Sequence, residues 1–111
     1  MNDLAAEAAD RRHHVRRHCR IETACRSLKS QSNTSYVATV LNVSQAGVGL
    51  RTTRQYPAGM LLTVGLQNPA GSLFLLKTVQ VRHVRAEQTT EWVLGCTFLK
   101  PLTDRELGQL V

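Results

Sequence analysis

Tyr36 to Thr53 reads YVATVLNVSQAGVGLRTT. Val37, Thr39 and Val40 give Tyr36–Leu41 the β-branched and aromatic character of a strand. Asn42–Gly47 (NVSQAG) is turn chemistry, and Val48–Thr53 is again strand-like. The stretch therefore predicts two antiparallel strands joined by a short polar turn. Further strands follow on both sides at regular spacing. Upstream, Cys19, Ile21, Thr23 and Cys25 alternate with Arg20, Glu22 and Ala24, the pattern of a half-buried strand, and Lys29–Ser35 (KSQSNTS) is a polar loop. Downstream, YPAG at Tyr56–Gly59 and NPAG at Asn68–Gly71 bracket a strand over Met60–Leu66. A long, bent strand is expected over Ser72–Ala86, a turn over Glu87–Thr90, and a sixth strand over Glu91–Leu99.

Six short strands with regular turns predict an all-β fold, a six-stranded antiparallel β-barrel, because closure removes exposed edges. After Pro101, Thr103 and Glu106 have the spacing of a capping box. Leu107 and Leu110 would rest the short C-terminal helix on the barrel. With 111 residues, one domain is the expectation. Met1–Asp10 reads as a flexible N-terminal tail ahead of a domain over 11–111.

The formal charge is +6, and eleven of the fourteen basic residues are arginine. Arg11, Arg12, Arg16, Arg17 and Arg20 fall within ten residues, with His13, His14 and His18 among them. A solvated basic tail would have this composition. A planar guanidinium, however, pairs bidentately with phosphate and stacks on bases, so the cluster points to an anionic partner. A metal at His13, His14, His18 and Cys19 is disfavoured by the surrounding positive charge and by the lack of a second ligand pair at zinc spacing. The apolar runs are too short to span a bilayer, and the acidic N-terminus does not read as a signal peptide, so a cytoplasmic location is expected. The three cysteines are odd in number and form no CxxC pair, which suits reduced, buried thiols. Cys19 and Cys25, six apart on one strand, would lie roughly 20 Å apart, beyond disulfide reach.

No catalytic constellation emerges, and no glycine-rich phosphate loop is present. Two short patterns remain. Arg12-His13-His14-Val15-Arg16 is an RxxxR pattern just ahead of the first strand, and Asn42-Val43-Ser44-Gln45-Ala46-Gly47 is an NxSxxG pattern between the second and third. The second, taken alone, is equally a turn in which Asn42 and Ser44 bond their own backbone. Together with Arg11-Arg12, Gly49-Leu50, Gly95-Cys96-Thr97-Phe98 and the terminal helix, the arrangement resembles the PilZ domain family over roughly Arg11–Leu110. Asn42 stands where many relatives have Asp, Val15 where proline is frequent, and Arg17 where an apolar residue is common.

The resemblance implies a non-catalytic receptor for cyclic di-GMP that needs no cofactor and signals to a protein partner. The ligand would lie between the arginine segment and the barrel. Arg12 and Arg16 would be the motif arginines, with Arg11 and Arg17 beside them, and Asn42, Ser44 and Gly47 the second motif. A guanidinium can clamp either phosphate or donate twice to guanine O6 and N7. Asn42 offers an amide to a base edge, Ser44 a hydroxyl, and Gly47 positive φ or close backbone approach. Arg51, Arg54, Arg82 and Arg85 could flank the site, while His83 and Trp92 read as packing or surface positions. The alternatives are a nucleic-acid-binding barrel and a PilZ-like interaction domain without a nucleotide. A pI near 9.9 suits the former, but the five aromatics form no basic–aromatic stripe, which makes nucleic acid the weaker partner.

Overall fold

The computed structural model describes residues 17–28, 35–68 and 70–110, with backbone only for 17–20. Among the described residues six strands and one helix follow in order: β1 (Arg17–Ser27), β2 (Tyr36–Val43), β3 (Gly47–Thr52), β4 (Leu61–Gln67), β5 (Phe74–Gln88), β6 (Glu91–Phe98) and α1 (Asp104–Leu110). All pairings are antiparallel, and the sheet closes as β1-β2-β3-β6-β5-β4. The expected six-stranded barrel with a short C-terminal helix is the fold observed.

Several boundaries differ from expectation. β1 starts at Arg17 rather than Cys19, so Arg17 and His18 belong to the sheet and not to a linker. β5 starts at Phe74 rather than Ser72, because Asn68 closes the preceding loop. The Asn68 side chain accepts from the Leu73 N–H at 3.1 Å, and its backbone N–H donates to the Leu73 carbonyl at 3.3 Å. The NVSQAG turn is also tighter than its composition suggests. Asn42 and Val43 end β2 and Gly47 starts β3, leaving Ser44–Ala46 as the turn.

Inward positions alternate as a filled small barrel requires. Val48, Leu50, Leu62, Val64, Val79 and Leu94 are fully buried. Each such side chain contributes about 1.5–3 kcal/mol on leaving water. Leu110 closes one opening beside Ile21, Val40, Val43 and Leu66. The expected capping box holds α1. Glu106 N–H donates to Thr103 Oγ1 at 3.0 Å, and Thr103 N–H donates to Glu106 Oε1 at 2.9 Å. That backbone bond holds the exposed Glu106 carboxyl below its ordinary pKa. Replacing Thr103 with alanine should therefore cost about 1 kcal/mol, read as a shift in the urea midpoint.

Cys25 and Cys96 are free thiols in the core, and the Cys25 thiol donates to the Tyr56 hydroxyl at 3.6 Å. Burial pushes Cys96 from an ordinary 9.0 up to about 12, and it also raises Cys25. The folded state thus prefers the neutral thiols, while the unfolded chain ionises near pH 9. The stabilisation is intact below pH 9 and is lost as pH rises from there toward 12. We expect a flat thermal midpoint between pH 6 and 8 and a progressive fall above 9. A midpoint unchanged at pH 10.5 would contradict the buried, neutral assignment.

Candidate functional site

One line of paired residues crosses the outer surface of the barrel. His18 of β1 lies opposite Asn42 of β2, Asn42 opposite Gly49 of β3, Gly49 opposite Gly95 of β6, and Gly95 opposite His83 of β5. The two central positions lack side chains, and neighbours fold over the space this leaves from both sides. The Asn42 amide occupies the space beyond Gly49, and the His83 imidazole occupies the space beyond Gly95.

Three strands are bulged at this same level: β1 between His18 and Ile21, β2 between Val40 and Asn42, and β5 between Val81 and His83. A bulge adds one residue to a strand and re-aims the side chains beside it. On β5 the extra residue is Arg82. Val81 faces the core, and Arg82 and His83 are both exposed in succession.

The turn that joins β2 to β3 beside this row is preformed. Ser44 N–H donates to the Gly47 carbonyl at 2.9 Å, and Gly47 N–H donates to Ser44 Oγ at 3.3 Å. Ser44 is only 3% exposed, so its hydroxyl holds the turn, as the self-bonding reading expected. Gly47 does not adopt positive φ; among the described glycines only Gly59 and Gly71 do. The reason for glycine is close approach, because a Cβ there would overlap the Cys96 carbonyl oxygen. Gln45 then ties the turn to the start of α1. Its carbonyl accepts from Leu102 N–H at 2.9 Å, and its side-chain amide donates to the Leu102 carbonyl at 3.2 Å and to Asp104 at 2.7 Å. The Ala46 carbonyl accepts from Phe98 N–H at 2.8 Å.

Beside the turn lies a cleft of about 320 Å³. Ser44, Ala46 and Gly47 form one wall, Gly95, Cys96 and Thr97 the floor, and Arg82 and His83 the opposite wall. Arg82 Nε donates to Thr97 Oγ1 at 2.8 Å. Among the described residues no carboxylate borders the cleft and one guanidinium does, a balance that favours an anion. The other barrel arginines are engaged elsewhere or lie outside it. Arg51 pairs with Glu87 at 2.9 Å, Arg54 sits 4.6 Å over the Tyr36 ring, and Arg85 is exposed away from the cleft.

Of the residues expected to bind, Asn42, Ser44 and Gly47 stand together at this turn. Arg11, Arg12 and Arg16 lie outside the described residues, as do the side chains of Arg17, His18 and Cys19 and the whole of His13 and His14. The backbone of Arg17 is described, opposite Val43 at the end of β2. Sequence reasoning missed Gln45 as the brace and His83 as a cleft residue. It also did not separate Arg82 from the other three arginines. A signal for the bulges was available: inward residues run Ala38, Val40, Val43 on β2 and Val79, Val81, Val84 on β5, so the spacing of two breaks to three in both.

Fold and site together define a closed antiparallel barrel with an anion-receptive cleft beside a braced polar turn. The chain belongs to the PilZ domain family, whose family model matches residues 10–111. No curated protein matches it. No helix among the described residues is long and apolar enough to cross a membrane.

Proposed function

We propose that the chain is a non-catalytic cytoplasmic receptor that binds cyclic di-GMP and signals to a protein partner. Membership of the PilZ family, whose domains are receptors for this ligand, supports the choice of nucleotide. The observation that carries the placement of the ligand is the start of β1. Arg17 pairs with Val43, one residue before the Ser44 turn. Covalent geometry then keeps the Arg16 Cα about 3.8 Å from that of Arg17, and Arg12 no more than about 17 Å away along the chain, whatever path it takes. The RxxxR segment is therefore joined to the barrel beside the NxSxxG turn.

The cleft is at the small end of ligand-site volumes and open to one side. A dinucleotide lodged there needs a cover on the open side, and Arg11, Arg12, Arg16 and Arg17 supply one. The dianionic ligand offsets the repulsion among these four charges and draws them toward the barrel. Asn42 presents its amide to a base edge. Ser44 and Gly47 hold the turn that keeps Asn42 and the cleft wall in register. The liganded segment then forms part of a surface for the partner.

Calorimetry tests the reading. Cyclic di-GMP and a single-stranded oligonucleotide are titrated in turn at two salt concentrations. Saturable, stoichiometric binding of the dinucleotide is expected, with little oligonucleotide binding at the higher salt. Steeply salt-dependent oligonucleotide binding without dinucleotide binding would instead identify a nucleic-acid module. No binding of either would leave a domain that works through protein contacts alone.

A further inference from the structure

We infer that the outer face along the β1–β4 seam is a docking surface for another protein, taking an extended segment whose apolar side chains are flanked by carboxylates. The inference goes beyond the proposed function. None of the residues involved lines the cleft at the Ser44 turn, and docking here does not require the nucleotide. Among the described residues β1 and β4 pair at three positions, Cys25–Val64, Arg26–Thr63 and Ser27–Leu62. Beyond Val64, β4 continues to Gln67 with β5 along one side and no ladder to β1 along the other. The Thr23 hydroxyl donates to the Gly65 carbonyl and bridges this opening. A hollow of about 260 Å³ lies over it, with Thr23, Ala24, Arg26, Gly65, Phe74 and Leu76 in its lining. A second hollow of about 240 Å³ adjoins the first across Leu76 and is lined by Thr78, Leu99 and Lys100.

Both hollows have apolar rims. Phe74 and Leu76 are each 63% exposed and Leu99 58%, and Val37, also 63% exposed, stands opposite Ala24 at the edge of the first. Single exposed apolar residues are ordinary, but a run shared by two adjoining hollows marks a contact surface. Charge selects the occupant. Arg26 lines one hollow and Lys100 the other, and among the described residues no carboxylate lines either. Glu106, which feels the charge of Lys100, accepts from the Thr103 N–H. A second copy would set cation against cation on chains that each carry a formal +6. A bilayer would leave the open strand edge without hydrogen bonds in hydrocarbon. An extended acidic segment meets both demands. Its backbone can pair with the β4 edge at Gly65–Gln67, and its carboxylates can pair with Arg26 and Lys100.

The test is fluorescence anisotropy of the full chain against a labelled, capped nonapeptide in which glutamate alternates with leucine and phenylalanine. A second peptide carries lysine in place of glutamate. The chain is compared with its Leu76→Glu, Arg26→Glu and Arg85→Glu variants, and thermal midpoints are recorded for each. The acidic peptide should bind weakly and saturably, as a small transient interface does, and the lysine peptide about tenfold more weakly or less. Leu76→Glu and Arg26→Glu should each weaken acidic-peptide binding about tenfold or more at an unchanged midpoint. Arg85→Glu, exposed on β5 away from both hollows, should change it by less than about twofold. No binding of the acidic peptide, equal binding of the lysine peptide, or unchanged binding in both Leu76→Glu and Arg26→Glu overturns the inference. So does binding of phosphatidylglycerol vesicles that Leu76→Glu abolishes, which would make the face a membrane contact. A dimer in sedimentation that Leu76→Glu dissolves would overturn it in favour of self-association. A chain that binds the acidic peptide but not cyclic di-GMP would sink the proposed function and leave this inference standing.

Discussion

Gly47→Ala should destabilise the barrel by about 3 kcal/mol, whereas Gly108→Ala should stabilise it by about 0.5–1 kcal/mol. The two substitutions add the same methyl group to very different surroundings. At Gly47 a Cβ would overlap the Cys96 carbonyl oxygen, with the Cys96 carbonyl carbon at 3.2 Å and the Thr97 Cα at 3.3 Å. Every one of these atoms is backbone, so no side chain can swing aside. Relief requires β3 to move from β6 at the Gly47–Thr97 pair. That shift would also strain the Ser44–Gly47 bonds that form the turn. At Gly108, within α1, a Cβ meets nothing within 4 Å and φ is not positive, so alanine simply removes freedom from the unfolded chain. Gly59 separates space from conformation. It too has open surroundings, but its φ of 94° makes alanine cost about 1–2 kcal/mol. Urea midpoints at constant m would rank the variants Gly108→Ala, parent, Gly59→Ala, Gly47→Ala from most to least stable. A Gly47→Ala variant as stable as the parent would refute the close approach. The ranking also bears on function. Loss of ligand binding on substitution of Gly47 would follow from a displaced turn, so that position cannot by itself diagnose ligand contact.

The fold was readable because each level of the sequence agreed with the next. Alternation along Ile21–Cys25 and Val48–Thr52, turn residues between the strands, and the Thr103–Glu106 cap all specify local structure that the barrel then uses. The turn at Ser44 was readable for the same reason, since its bonds span only three residues. The cleft was less so. Its floor and walls come from β3, β5 and β6 and from the 44–46 turn, and the pairing that assembles them is set by closure of the sheet rather than by any local pattern. His83 illustrates the point. As a lone polar residue in a strand it looks like surface, and only the partner Gly95 gives its ring a seat. Gln45 is similar. Its bonds to Leu102 and Asp104 cross 57 and 59 residues, a separation that a motif confined to Asn42–Gly47 does not encode.

Arg12→Ala with Arg16→Ala in one chain should abolish measurable cyclic di-GMP binding, a loss of about 100-fold or more, without lowering the urea midpoint. The magnitude follows from the chemistry assigned to the pair. Each guanidinium contributes charge-assisted hydrogen bonds worth about 1.5–3 kcal/mol, so losing two removes about 3–6 kcal/mol of binding free energy. Stability should move by less than about 0.5 kcal/mol, because both residues precede β1 and carry full charges, which cores exclude unless paired. The contrast with Gly47→Ala is therefore diagnostic, since one variant loses ligand at unchanged stability and the other loses stability as well. Lysine at both positions refines the test. It restores charge but not the planar fork, so binding should return only in part. Full recovery by lysine would mean that the segment acts as a diffuse positive field. Unchanged binding in the double alanine variant would remove the arginine segment from the site and leave Arg82 as the guanidinium at the cleft among the described residues.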